Sequence, residues 1–170
     1  YPKGTKVQPF TLKDGEVLQD KAQKLSEQLM YPKAYTENPE IKESILTAHS
    51  SLNMTLPSGE KAIRNLSIHV SEIDSANYSS IMRNLIVKIS FDGIQTVCVP
   101  LSDLTGAGMG APAVRSYYLE ADGKEYSRLR FVMPYRREAS SKVENISGNS
   151  AKIKIEACIS AWKWYANTLY

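Results

Sequence analysis

Four stretches in the last two thirds of the chain alternate apolar and polar residues, and this alternation constrains the fold more than any other feature. In one of them Leu66, Ile68 and Val70 alternate with small or polar residues. The other three stretches are residues 85–91, 129–133 and 153–160. A period of two is typical of strands that bury one face against a core.

Turn-forming sequences separate these stretches. They are Pro57-Ser58-Gly59, Asp92-Gly93, Asp122-Gly123 and Ser147-Gly148-Asn149. Short strands joined by such turns, with only one convincing helix, indicate an all-β architecture. We therefore predict a mainly β fold, a jelly-roll type antiparallel β-sandwich, over residues 49–170.

Residues 1–48 have a different pattern, which predicts a lead-in, a helix and a connector before the sandwich. Residues 14–30 carry apolar side chains at helical spacing, with Asp14 as the expected N-cap and Tyr31-Pro32 as the stop. Residues 31–48 contain two prolines and are predicted to be a connector with room for a short helical turn. The apolar residues of the predicted helix are Val17, Leu18, Ala22, Leu25 and Leu29.

The composition is that of an ordinary globular domain, with 42% apolar and 23% charged residues in 170. It excludes an acidic disordered chain, a collagen-like repeat and a disulfide-dense miniprotein. A formal net charge of +3 is too small by itself to indicate a nucleic-acid or membrane partner. No apolar run is long enough to predict a membrane span. Because the chain begins at Tyr1 and stays apolar and aromatic through residues 157–170, we expect the natural protein to continue beyond it.

The cysteines and histidines predict no reactive or metal site. Cys98 and Cys158 lie in apolar strand-like stretches, so we expect two small buried residues, with a single bridge between neighbouring strands as the alternative. The two histidines, His49 and His69, stand 20 residues apart and lack a second ligand at metal spacing. We predict neither a metal nor a cofactor.

A glycine-rich segment, residues 101–118, interrupts the regular pattern of strands and turns. Its glycines, Gly106, Gly108 and Gly110, lack the strand-before, helix-after context of a phosphate-binding loop, so we expect a flexible or tightly turned loop with positive φ. Long ordered loops on β-sandwiches often carry function. Asp103 opens this segment and is the most interesting carboxylate, although a loop cap that accepts backbone N–H bonds explains it more simply.

The other carboxylates predict no catalytic pair of the kind that glycosidases use. Asp92 and Asp122 each precede a glycine in a turn, which accounts for them structurally. Glu156 is expected on a solvent-facing side of its strand beside Lys154, where opposite charges are common.

Arginines and tyrosines are interleaved in the last third of the chain. This pattern would suit single-stranded nucleic acid on an aromatic platform, but a solvated sheet face is the better explanation, and we predict no nucleic-acid partner. Trp162 and Trp164 stand two residues apart, so in a strand they would share one face. Three roles are open there: stacking on a sugar ring, filling the core, or contacting a partner. The arginines and tyrosines are Arg115, Arg128, Arg130, Arg136, Arg137, Tyr117, Tyr118, Tyr126 and Tyr135.

Three segments carry a resemblance to a known family. They are Phe91-Asp92-Gly93 with residues 99–104 and the glycines that follow, Phe131-Val132-Met133-Pro134-Tyr135-Arg136 followed by Val143-Glu144-Asn145, and Trp162-Lys163-Trp164. In this order they resemble glycoside hydrolase family 172, a jelly-roll family of secreted bacterial proteins. The resemblance covers residues 84–165 well and residues 1–83 loosely.

The resemblance implies a jelly-roll domain of a secreted or periplasmic carbohydrate-active protein. The acid segments expected in the family, Glu-Gly-Asp-Glu and Gly-Thr-Gly-Thr-Glu-Asp, do not occur in this sequence, so no catalytic residue is placed here. Leu104-Thr105 also stands where the family has two aromatic residues. The residues expected at a ligand site or in its support are Asp103, Arg115 and Tyr118 at a cleft rim, and Trp162 and Trp164.

The functional hypothesis is a domain that is not catalytic by itself and belongs to a glycan-degrading protein. The alternative is a non-catalytic carbohydrate-binding or structural scaffold module. The expected partners are a carbohydrate and other domains of the same parent protein, with further copies of the chain as an open option.

Overall fold

A computed structural model of the protein describes residues 3–7, 9, 11–33, 35 and 37–165. The chain divides after Lys33 into two compact units. In the first unit, helix α1 spans Leu12–Met30.

Helix α1 begins with a capping box, which moves the predicted N-cap by three residues. Thr11 is the N-cap, and its hydroxyl accepts a bond of 3.3 Å from the N–H of Asp14. The Asp14 carboxylate in turn accepts a hydrogen bond of 2.9 Å from the Thr11 N–H, so each side chain satisfies the backbone N–H of the other residue. Asp14 is therefore the third helical residue and not the cap, while the predicted stop at Tyr31 is confirmed.

The second unit contains eleven strands, two short α-helices and one turn of 3-10 helix (Ser75–Asn77) among the described residues. The helices are α2 (Tyr78–Asn84) and α3 (Leu101–Leu104). The strands are β1 (Glu40–Leu46), β2 (Ser51–Thr55), β3 (Lys61–Ser71), β4 (Leu85–Phe91), β5 (Ile94–Pro100), β6 (Val114–Arg115), β7 (Leu119–Ala121), β8 (Tyr126–Leu129), β9 (Met133–Tyr135), β10 (Ala139–Asn145) and β11 (Ala151–Ala161).

The strands pair in a nested order, which is the order of a jelly roll. The first strand pairs with the last, β2 with β10, β3 with β8 and β9, and β4 with β5, all antiparallel. The result is one long folded hairpin wound into two sheets. The larger has the order β1-β11-β3-β8-β7-β6, with β9 also paired to β3, and the smaller has the order β2-β10-β4-β5. The predicted antiparallel β-sandwich is confirmed.

The core lies between the two sheets, as the alternation in the sequence predicts. Side chains on alternate positions of β3, β4 and β11 are fully buried, and burying each large apolar side chain contributes roughly 1.5–3 kcal/mol. They are Leu66, Ile68 and Val70, then Val87 and Ile89, then Ile153 and Ile155.

Polar side chains tie the turns together at both ends of the sandwich. Asp92, at φ 53° in the β4–β5 turn, accepts N–H bonds from Arg136 at 3.0 Å, Arg137 at 2.7 Å and Glu138 at 3.2 Å. At the opposite end, the buried amide of Asn145 bonds both the β1–β2 turn and the β10–β11 turn. Two of the segments that carry the family resemblance therefore hold neighbouring turns together through side-chain hydrogen bonds.

Three sequence predictions need correction. The predicted connector, residues 31–48, contains strand β1, which pairs along its whole length with β11 and was not predicted. The predicted strand 129–133 is interrupted, because β8 ends at Leu129 and β9 begins at Met133. Cys158 is buried as expected, but Cys98 is exposed on β5, and both thiols are free.

Candidate functional site

Outward-facing side chains of four neighbouring strands meet on the larger sheet, and we call this group the polar face. The register places His69 directly opposite Tyr126 and Ser67 directly opposite Arg128. On the other side of β3, Lys154 stands opposite His69 and Glu156 opposite Ser67. Strand β7 adds Glu120 opposite Arg128. The polar face comprises Ser67, His69, Glu120, Tyr126, Arg128, Arg130, Lys154 and Glu156.

One carboxylate of the polar face is surrounded by three guanidinium groups. Glu120 accepts a hydrogen bond from Arg130 and lies 3.7 Å from Arg128 and 3.9 Å from Arg115. Arg128 also donates to the hydroxyl of Ser67 at 3.3 Å. Burial lowers the pKa of Arg128, and the neighbouring charge of Arg130 lowers it further. The group is therefore a crowded cationic cluster around one anion.

The second carboxylate, Glu156, is held by a lysine and a histidine. Its oxygens lie 2.8 Å from Lys154 Nζ and 3.5 Å from His69 Nε2, and the hydrogen bond from Lys154 lowers the pKa of Glu156. Burial lowers the pKa of His69, which outweighs the nearby Glu156 charge. The prediction that Glu156 pairs with Lys154 on an outer face is confirmed.

Tyr126 connects the two carboxylate clusters. Its ring centroid lies 4.9 Å from that of His69, and the Arg128 guanidinium lies over it at 4.5 Å. The Tyr126 hydroxyl and two guanidinium nitrogens of Arg130 are buried without a hydrogen-bond partner among the described residues. Buried polar groups of this kind usually have a hydrogen-bond partner, so the hydrogen bonding in this part of the polar face is incomplete among the described residues.

Arg115 and Tyr118, both predicted at a cleft rim, lie beside the polar face. Arg115 approaches Glu120, and the Tyr118 carbonyl accepts the Arg130 N–H at 2.7 Å. The Tyr118 ring is half exposed and stacks on Phe131 with centroids 5.0 Å apart and planes 3° apart.

Trp162 and Trp164 form a separate aromatic cluster just beyond the end of β11. Their rings are nearly perpendicular with centroids 6.4 Å apart, and neither residue belongs to a strand, so the expected shared strand face is not formed. Arg64 lies over Trp162 at 5.1 Å and Arg136 over Trp164 at 4.5 Å. Both tryptophans are only partly exposed, because the arginines cover them.

Asp103 does not belong to the polar face. It lies in α3, and its carboxylate bonds the Arg83 guanidinium of α2, so the expected cap on backbone N–H groups is replaced by an ion pair between two short helices. The glycines that follow have φ of 75°, 63° and 83°, which confirms the tightly turned loop predicted for Gly106, Gly108 and Gly110.

Sequence reasoning missed Glu120 and the cluster around it. The alternation of Tyr126 and Arg128 with Ser127 and Leu129 was the available signal, since it places the first pair on one side of a strand. Among the described residues, no three His, Cys, Asp or Glu side chains are grouped so as to hold a metal ion. No described helix has both the length and the apolar character needed to cross a membrane.

A family model described as GH172 domain-like matches residues 38–158. The chain belongs to the GH172 domain-like family. The match extends from just before β1 into β11 and therefore includes both sheets and the whole polar face, while Trp162 and Trp164 lie outside it. None of the curated proteins matches the chain. Membership of the GH172 domain-like family confirms the resemblance and indicates a domain related to glycoside hydrolases.

Proposed function

We propose that this chain is the jelly-roll domain of a secreted carbohydrate-active protein and binds a glycan on the polar face. Cleavage of the glycosidic bond is left to a part of the parent protein that carries the paired acids. The observation that supports the proposal most strongly is the convergence of hydrogen-bonding and aromatic side chains on one sheet of a GH172 domain-like chain.

The chemistry of the polar face suits sugar hydroxyl groups. Sugar recognition needs donors and acceptors at fixed positions, and the face offers guanidinium, carboxylate, imidazole and phenol groups on paired strands. Tyr118, half exposed beside it, offers a ring on which the apolar side of a sugar stacks.

The charge state of Glu156 argues against a role as the general acid of a glycosidase and is compatible with binding. A glycosidase needs one carboxylic acid with a raised pKa that donates a proton to the leaving oxygen. Lys154 instead lowers the pKa of Glu156, so this carboxylate stays ionised. An ionised carboxylate accepts hydrogen bonds from sugar hydroxyls but is a poor general acid.

A structural role within the parent protein is the second candidate. Tyr126 and Arg130 carry buried polar groups with no hydrogen-bond partner in the described part of the chain, and Trp162 is partly covered. A surface covered by another domain would have these features. Under this alternative the face is an interface between domains, and association with further copies of the chain remains a prediction.

Screening the purified chain on a glycan array tests the proposal. We expect binding to a limited set of glycans, weakened by Tyr118→Ala and unchanged by Ile94→Ser on the exposed edge strand β5. Absence of binding to every glycan would favour the structural role. Release of sugar from any bound glycan by the chain alone would contradict the proposed division of labour. Fractionation of cells that produce the parent protein would test the expected secreted or periplasmic location.

A further inference from the structure

A cavity of about 360 Å³ opens beside the turn between β7 and β8, and we call it the turn cavity. Its lining comes from two segments. Ile73 and Tyr78 belong to the segment that runs from the end of β3 into α2, while Gly123, Lys124 and Glu125 belong to the turn itself. Ligand pockets in proteins measure roughly 300–1,000 Å³, so the turn cavity has room for one small molecule.

The wall of the turn cavity contains apolar surface and one unused hydroxyl group. Ile73 and Tyr78 are partly buried and pack against the core. The Tyr78 hydroxyl is buried and has no hydrogen-bond partner among the described residues. Burial raises the pKa of Tyr78 to about 12, and the Asp122 charge acts in the same direction, so the hydroxyl keeps its proton. A ligand hydroxyl would supply the missing partner after a small side-chain adjustment.

Two side chains of opposite charge complete the lining. Lys124 and Glu125 are exposed, and neither side chain makes an ion pair or a hydrogen bond within the described part of the chain. They offer a donor and an acceptor to a ligand, and their charges cancel, so the five lining residues carry no net charge. A neutral molecule with an apolar side and several hydroxyl groups suits such a lining better than a strongly charged one.

Hydrogen bonds hold the turn that carries these two side chains. The Asp122 carboxylate accepts hydrogen bonds from three successive backbone N–H groups, those of residues 124–126, each at 2.9 Å. The Val70 N–H at the end of β3 donates to the Glu125 carbonyl at 2.8 Å, which ties the turn to the sheet. A backbone fixed in this way reduces the entropy that is lost when a ligand binds.

We propose that the turn cavity binds one neutral sugar unit, whose apolar side contacts the wall and whose hydroxyl groups bond Tyr78, Lys124 and Glu125. The inference rests on the proposed function for its choice of a sugar as the ligand, and it adds a site that shares no residue with the polar face. Sugars combine an apolar side with hydroxyl groups, which is the combination that the lining offers. An amino acid with an apolar side chain is the competing ligand, and the experiment below separates the two.

Nuclear magnetic resonance titration of the intact, isotope-labelled chain tests the inference. The neutral probes are glucose, galactose, mannose, fructose, xylose and arabinose. The charged probes are glucuronate and glucosamine, and leucine represents the amino acids. The test variants are Tyr78→Phe and Glu125→Ala. One control is Tyr135→Phe, which removes a buried hydroxyl that already donates to the Pro57 carbonyl at 2.7 Å. The other is Glu138→Ala, which removes an exposed carboxylate next to β10 of the smaller sheet.

We expect at least one neutral sugar to shift the backbone amide signals of residues 123–125. Tyr78→Phe should weaken this binding about fivefold, because a neutral hydrogen bond contributes about 1 kcal/mol. It should not lower the thermal midpoint, because the hydroxyl has no partner among the described residues. Tyr135→Phe should do the reverse, lowering the midpoint and leaving the affinity unchanged. Glu125→Ala should weaken binding about tenfold, because hydrogen bonds to charged groups are stronger, and Glu138→Ala should leave it unchanged.

Sugar-induced shifts confined to residues of the polar face, or an unchanged affinity in Tyr78→Phe or in Glu125→Ala, would overturn the inference and leave the proposed function standing. Tighter binding of glucuronate, glucosamine or leucine than of every neutral sugar would also overturn it. Absence of shifts with all of the sugars would overturn it as well. The proposed function is contradicted separately, by failure to bind any glycan on the array.

Discussion

Replacing Asn145 tests whether one buried amide holds together the β1–β2 and β10–β11 turns at one end of the sandwich. Asn145 is fully buried at the end of β10. Its amide nitrogen donates to the carbonyls of Leu46 and Thr47, each at 3.2 Å, and to that of Asn149 at 2.7 Å. Its oxygen accepts from the N–H and hydroxyl of Ser147 at 3.0 and 2.7 Å.

The expected cost follows from the number of hydrogens. An amide has two N–H groups, so the two 3.2 Å contacts share one hydrogen and the side chain makes about four good hydrogen bonds. At about 1 kcal/mol net for each, Asn145→Ala should destabilise the sandwich by about 4 kcal/mol. An unfolding entropy of about 2.1 cal/mol/K per residue over this unit converts that loss into a fall in Tm of about 14 °C.

Urea denaturation and thermal unfolding followed by near-ultraviolet circular dichroism measure the effect. Asn149→Ala is the matched control, because Asn149 is exposed and takes part in the clamp through its backbone carbonyl. We expect it to cost under about 0.5 kcal/mol, as for an ordinary surface substitution. A cost below about 1 kcal/mol for Asn145→Ala, or equal costs for both variants, would refute the reasoning.

Three further predictions concern single residues of the sandwich. Asp92→Gly keeps the positive φ but removes an acceptor of three N–H groups, so we expect a loss of about 2 kcal/mol in urea denaturation, largely restored in Asp92→Asn. Burial lowers the pKa of His69, so its contribution to stability is present above its unfolded pKa of about 6.5 and is lost as the pH falls through the folded pKa. His69→Gln should therefore flatten this part of the profile of unfolding free energy against pH. An unchanged profile would contradict the assignment. Gly123→Ala should destabilise the sandwich by at least about 1 kcal/mol, because φ is +73° and the added Cβ would lie 2.8 Å from the backbone nitrogen of Ala113. An unchanged midpoint in thermal unfolding would show that the loop can move to accommodate the Cβ without cost.

The parts of the fold that the sequence predicts are those with one buried face. Strands β3, β4 and β11 each turn one face toward the core between the sheets, so burial imposes the alternation that identifies them. Strand β1 was not predicted, because it is an edge strand whose side chains are exposed except for Leu46 and therefore show no alternation. Its existence depends on pairing with β11, a partner more than a hundred residues away in the sequence, and no local pattern encodes that pairing.

The candidate site was predictable only in fragments for the same reason. Arg115 and Tyr118 were expected near a ligand, and the structure places both beside the polar face. Glu120 gains its importance from the register of β7 with β8, which sets it opposite Arg128. The Asp103–Arg83 ion pair likewise joins two short helices whose approach no spacing rule predicts.

The residues that carry the family resemblance and the residues of the polar face do different work. Asp92 and Asn145 bind backbone groups of neighbouring turns, so they stabilise the jelly roll whatever the domain binds. The polar face consists of outward side chains, which can change without disturbing the core. The ligand of this chain must therefore be argued from its own outward side chains and not from the contacts of Asp92 and Asn145 or from the family alone.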